Sequence, residues 1–199
     1  MHEQTAEALL ELYRHAVTLK LMPRAGWLQR GVAQPESVAE HSFGVALLAL
    51  LAGDGAEGLD RGKILAIALL HDLAEATLGD LPASARRLFG AEAKHAAERR
   101  AMEELLAGLP QADYLALWDE YARGASSEAR LVKGLDRIEM LVQALAYERA
   151  GSRALEEFWA DAERGWGDEF PILREMALSL LAQRARLTGA AGHAPPDSR

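Results

Sequence analysis

The chain contains no cysteine, which excludes disulfides, zinc-thiolate sites and a thiol nucleophile while locating the protein only weakly. Runs of β-branched residues alternating at period two are scarce, so little of it reads as sheet. Its most apolar stretch, Phe43 to Ala52, is about half of the ~20 residues that span a bilayer and belongs in a core. An excess of basic charge is missing too. The formal net charge is −8, spread over mixed-sign helical faces, which argues against duplex nucleic acid as a partner. A local Arg/Lys pocket for phosphate remains compatible with that balance. The N-terminal segment MHEQTAEALLELYRHAV carries charges where a secretory signal needs an apolar centre, so no targeting peptide is expected and the cytosol is the expected compartment.

What is present is Ala and Leu. The chain has 199 residues, 50% of them hydrophobic, enough for one well-filled core and too few for two comfortable domains. An all-α fold follows, with one domain over 1–187 and a disordered tail over 188–199. Helical spacing of Leu9, Leu12, Tyr13, Ala16 and Leu19 predicts a first helix over 5–21, ending before Pro23. After the loop PRAGWLQRGVAQPE, Ser37 and Glu40 form an S-x-x-E capping box that starts a second helix and puts His41 in its first turn. That helix ends at Gly53 or Gly55. A third is expected from about Asp60 without a break to Gly79, and both of these are apolar enough to be central. An amphipathic stretch runs over 83–106 with an interruption at Gly90, a short helix starts at Pro110, and a long one covers 127–149. The long helix carries Leu131, Leu135, Ile138, Val142 and Leu145 on one stripe, with Asp136 just off it. Helices over 153–163 and 168–187 complete the chain.

Within the apolar run Ile64 to Leu73 stand His71 and Asp72, followed by Glu75. Unpaired buried polar groups cost roughly 2 to 7 kcal/mol, so a ligand or mutual pairing must satisfy them. His41 and Asp136, on two other central helices, supply matching ligand types. Two neutral imidazoles and two carboxylates make an N/O site that leaves positions open on an octahedral ion for water and a phosphate oxygen. Mn, Co, Fe, Ni or Zn fits one such divalent site, and Mg fits it less well.

The order H…HD…D resembles the HD-domain metal-dependent phosphohydrolase superfamily over about residues 23–149. The words PESVAEHSFGVA, ALLHDLAEATLGDLP and EARLVKGLDRIEMLVQALAYE look like its small 5′-deoxynucleotidase branch. The resemblance implies a single helical HD-domain bundle and His41, His71, Asp72 and Asp136 as metal ligands.

Glu75 lies four residues after His71 and three after Asp72, so a helix brings its carboxylate into their neighbourhood, where it can position or deprotonate a water. The resemblance also places the branch's catalytic carboxylate here and gives Asp80 a part in completing the site. Arg24, Arg30 and Lys133 are the cations available to a phosphate dianion. Arg24 and Arg30 flank Trp27, and in the resembled branch an Arg and a nearby Trp of this loop bind phosphate and help reject ribose. The spacing here is R-x-x-W, longer than the adjacent pair of the bacterial form. Trp118, Tyr121, Trp159 and Trp166 are read as helix packing, and His15, His95 and His193 as solvated.

The expected activity is removal of the 5′-phosphate from nucleoside monophosphates, with a preference for deoxyribonucleotides. Alternatives are another HD phosphohydrolase activity, on nucleoside triphosphates or guanosine tetraphosphate, and a helical module that binds nucleotide without turnover. The partner is thus a small nucleotide, with no membrane and no duplex nucleic acid. Relatives are often dimers, which makes a homodimer the oligomer to test.

Overall fold

A computed structural model of the chain describes residues 2–109 and 113–191. The described residues form helices and turns, and the only bridge among them is an isolated antiparallel pair, Pro23 with Ser37. Among the described residues eleven helices follow in order: α1 His2–Thr18, α2 Ala25–Leu28, α3 Val38–Gly53, α4 Arg61–Leu70, α5 Glu75–Leu78, α6 Ala83–Phe89, α7 Ala91–Leu105, α8 Asp113–Arg123, α9 Ser127–Arg149, α10 Glu156–Trp159 and α11 Pro171–Ala191. The all-α expectation holds. The chain resolves into two compact units, residues 1–135 and 136–199, whose boundary falls inside α9.

In the first unit α3 packs along α4, α4 on α8, and α7 against α5, α6 and α8. The local chemistry explains the starts. The Ser37 hydroxyl accepts from the Glu40 N–H at 3.2 Å while the Glu40 carboxylate accepts from the Ser37 N–H at 2.6 Å, so the capping box is complete. Asp60 accepts from the Lys63 N–H at 3.1 Å and caps α4. Val38, Leu73, Ala74, Met102, Leu105 and Trp118 close a core with Leu19 and Ala101. In the second unit Leu141, Leu145, Leu155, Trp159 and Leu173 are buried. There Arg184 pairs with Glu148 at 2.9 Å and lies over the Trp159 ring.

Several expectations change. The third helix is not continuous to Gly79: α4 stops at Leu70, and residues 71–74 turn before α5. The His71 ring supplies a reason, because its Nδ1 donates to the Ala68 carbonyl at 2.7 Å and competes for the acceptor that a helical Asp72 N–H would use. The backbone tightens to three-residue spacing there, with Leu73 N–H on Leu70 and Glu75 N–H on Asp72. Gly79 then takes φ 80° and ψ 160°, a conformation open essentially to glycine alone.

α1 ends at Thr18 rather than Leu21, and only Glu156–Trp159 of the expected 153–163 helix forms. α11 continues through Ala191, past Leu187; the rest of the expected disordered tail, 192–199, and the expected start at Pro110 lie outside the described residues. On α9, Leu141 is buried where Val142 was expected, and Val142 is exposed. α3 is one-sided rather than central: Val38, His41, Val45 and Ala49 are buried, whereas Phe43, Leu47 and Leu51 face solvent.

Candidate active site

The break after α4 sets the site. Residues 71–74 turn between α4 and α5 and carry His71 and Asp72, with Glu75 opening α5. His71 Nδ1, facing a carbonyl that only accepts, must carry hydrogen, so in the neutral ring Nε2 presents its lone pair. That Nε2 lies 3.4 Å from His41 Nε2 and 3.2 Å from Asp72 Oδ2, and His41 Nε2 lies 3.6 Å from the same oxygen. His41 is delivered by the first turn of α3, and both imidazoles are buried, at 1% and 4% exposure.

Arg24 enters from the loop before α2. Its guanidinium sits 3.0 Å from Asp72 Oδ2, 3.8 Å from Glu75 Oε2 and 3.9 Å from Asp80 Oδ1. Asp80 is tied back to this loop, its other oxygen accepting from the Ala25 N–H at 2.6 Å. One cation thus faces three carboxylates. Burial would raise the Asp72 pKa, but the charge and hydrogen bond of His71, with Arg24 and His41, hold it well below the usual carboxylate range. Glu75 goes the other way. Burial first, then the Asp72 and Asp80 charges, push it up to about 9 against the opposing pull of Arg24 and Lys94.

These features bear on whether a metal suits the residues present. Two imidazole nitrogens and a carboxylate oxygen face one another within 3.6 Å. Glu75 Oε2 is buried without a hydrogen-bond partner. The His71 ring is also held by a backbone carbonyl, the outer support that metal-ligating imidazoles typically have. The donor set suits a divalent ion bound by nitrogen and oxygen.

The other expected residues are placed as follows. Asp136 stands on α9 three residues beyond Lys133. The Lys133 ammonium lies 4.8 Å from the centre of the Tyr121 ring. Arg30 donates to the Gln29 carbonyl at 3.4 Å. Trp27 is 2% exposed, and its indole N–H donates to Glu36 Oε1 at 2.8 Å. Two residues of the neighbourhood are ones sequence reasoning did not select. Tyr121, read as packing, sets its ring edge-on to His71 with centroids 5.3 Å apart. Glu36 has a carboxylate oxygen within 4.8 Å of a His41 ring nitrogen. A glutamate one residue before the helix cap was the available signal for Glu36, and for Tyr121 there was none. His95, expected to be solvated, is half-buried and stacks on Trp118 at 5.4 Å with rings 5° from parallel, and His193 lies outside the described residues.

Comparison with known proteins identifies the family. The family model described as HD domain matches residues 16–171. The 5′-deoxynucleotidase HDDC2 of Bos taurus is 36% identical over 197 residues, covering 96% of this chain and 93% of the relative. Among solved structures, a conserved hypothetical protein from Pyrococcus furiosus superposes with a TM-score of 0.76 at 36% identity, covering 87% of this chain and 99% of that one. A protein from Magnetospirillum magnetotacticum, described as a predicted metal-dependent phosphohydrolase, has a TM-score of 0.71 at 25% identity over 94% and 96% of the two chains. With its family match extending across the loop of Arg24, the His71-Asp72 turn and all of α9, the chain belongs to the HD domain family.

Proposed function

We propose that this protein is a metal-dependent 5′-deoxynucleotidase, which hydrolyses nucleoside 5′-monophosphates, preferentially deoxyribonucleotides, to nucleoside and inorganic phosphate. The observation that carries the reading is the convergence of His41, His71 and Asp72 beside a buried, hydrogen-bond-starved Glu75 and a guanidinium. The activity named for the Bos taurus relative supports the substrate class.

His41, His71, Asp72 and Asp136 would hold one divalent ion, drawn from Mn, Co, Fe, Ni, Zn or Mg. Support for Asp136 is its position on α9: Lys133, one turn earlier, lies over Tyr121, and Tyr121 lies against His71. When bound, such an ion supplies Lewis-acid charge to a phosphoryl oxygen and lowers the pKa of water. Arg24 offsets phosphate charge with a guanidinium, one terminal nitrogen of which already faces all three acidic groups. Lys133 and Arg30 are the further cations proposed for the phosphate. Glu75 is the proton-exchanging group. As water adds to phosphorus and the P–O5′ bond breaks, one proton leaves the water and one arrives on the departing oxygen. Asp80, anchored on the Ala25 N–H, keeps Arg24 and Glu75 in register.

Inorganic phosphate release from deoxy- and ribonucleoside 5′-monophosphates, after chelation and re-addition of single metals, tests the reading. Metal-dependent release favouring the deoxy series is expected. Release only from triphosphates or guanosine tetraphosphate would move the protein elsewhere among phosphohydrolases, and binding without release would make it a nucleotide-binding module.

No helix among the described residues is long and apolar enough to cross a membrane. We propose the cytoplasm as its compartment. We also propose a homodimer through α3. Phe43, Leu47 and Leu51 form an exposed stripe at four-residue spacing, and no charged residue lies between Glu40 and Asp54.

A further inference from the structure

The loop that supplies Arg24 is closed at its neck. The Arg24 N–H donates to the Glu36 carbonyl at 2.9 Å, the Val38 N–H to the Met22 carbonyl at 2.9 Å, and Pro23 bridges Ser37. Trp27 fills the inside of this loop at 2% exposure. Its carbonyl accepts from the Arg30 and Val32 N–H groups at 3.0 and 3.1 Å, which wraps the backbone around it. Such a ring has almost no face left for a sugar. Its one polar atom, the indole N–H, is spent on Glu36 Oε1 at 2.8 Å. Glu36 is half-buried, and its carboxylate comes within 4.8 Å of a His41 ring nitrogen. One residue further on, Ser37 caps the helix that carries His41.

We infer that Trp27 and Glu36 are a positioning pair: the indole N–H fixes the Glu36 carboxylate, which orients the His41 imidazole and strengthens it as a ligand, while the closed neck keeps Arg24 in line with it. Trp27 therefore acts on the site from beneath instead of stacking on the nucleotide. A carboxylate supporting a metal-bound imidazole raises its basicity, and loss of such support typically costs ten- to a hundredfold in metal affinity. The inference rests on the metal-site reading above.

The test uses the full chain and compares wild type with Trp27→Phe, which keeps the ring and removes the N–H, with Glu36→Gln, which keeps an acceptor and removes the charge, and with the double variant. Mn²⁺ affinity is measured by calorimetry, and kcat/KM is measured on matched deoxy- and ribonucleotides. Each single variant is expected to bind Mn²⁺ about tenfold more weakly. The double variant should be no worse than Glu36→Gln alone, because Trp27 acts through Glu36. The deoxy-to-ribo ratio should stay within about twofold of wild type. A Trp27→Phe variant with unchanged Mn²⁺ affinity but a collapsed deoxy-to-ribo ratio overturns the inference and returns Trp27 to the sugar. If Trp27→Phe unfolds, Glu36→Gln decides: unchanged Mn²⁺ affinity overturns the pair and weakened affinity supports it. Failure of the functional reading looks different, since wild type would then bind Mn²⁺ and release no phosphate while the affinity comparison still decides the inference. A wild type that binds no Mn²⁺ overturns both.

Discussion

Glu75 is the residue whose environment departs furthest from its chemistry. The residue is 7% exposed, its Oε2 accepts no hydrogen bond, and its pKa is raised to about 9. In the unfolded chain the group ionises near 4.5. The folded pKa being the higher, the unfolded state loses its proton first as pH rises, so this group's contribution is favourable below about 4.5 and is lost progressively toward 9. Glu75→Gln, neutral at every pH, is therefore expected to stabilise the metal-free protein at pH 8 by about 1 to 3 kcal/mol, with little effect near pH 4.5. Denaturant melts in chelator at the two pH values check this, and equal shifts would contradict it. The same variant should lower kcat by about 10² to 10⁴. Arg24 is the complementary case. Arg24→Met removes the cation shared by Asp72, Glu75 and Asp80, and KM for a nucleoside monophosphate is expected to rise about ten- to a hundredfold, the equivalent of one lost charged hydrogen bond. At this scale the sequence made His71, Asp72 and Glu75 legible, because ionisable groups in an apolar run demand partners. Tyr121 and Glu36 were not legible, since an aromatic on an amphipathic helix and a glutamate before a cap are ordinary until a fold brings them to the imidazoles.

Among the elements, the start of α3 couples stability to chemistry. The Ser37 hydroxyl and the Glu40 carboxylate satisfy each other's backbone donors, and His41 sits within the same turn. Glu40 is held below its usual pKa by the Ser37 backbone hydrogen bond. Ser37→Ala is expected to cost about 0.5 to 2 kcal/mol in chemical denaturation. If the cap also positions His41, Mn²⁺ affinity should fall in parallel, and a loss of stability with no change in affinity would separate the two roles. The cap was readable from S-x-x-E alone. The end of α4 was not: the periodicity of Ile64 to Leu73 continues smoothly, and the helix stops because the His71 ring reaches back to the Ala68 carbonyl. Hydrophobic spacing carries no trace of that competition, so the expected helix ran on to Gly79.

For the molecule as a whole, the exposed stripe of α3 is the feature that isolation leaves unexplained. Phe43 is 69% and Leu51 62% exposed, with Leu69 of α4 at 63%. Burying such side chains typically stabilises by about 1.5 to 3 kcal/mol each, enough to drive self-association. Light scattering is expected to give twice the chain mass for wild type and the single-chain mass for Phe43→Asp. A wild type that stays monomeric at tens of micromolar would rule out the α3 dimer.

An all-helical chain was determined by the sequence itself, because Ala- and Leu-rich segments at a 3.6-residue period, punctuated by caps, glycines and prolines, can bury their apolar faces in few other ways. The proposed ligand types His41, His71, Asp72 and Asp136 were determined there too, since their chemistry is written in residue identity. Tertiary structure alone decided that α4 breaks at His71, that Arg24 reaches across to three carboxylates, and that the Trp27 ring turns inward onto Glu36. Each of those outcomes depends on distances between residues far apart in the chain, and on which polar group wins a shared partner once water has been excluded.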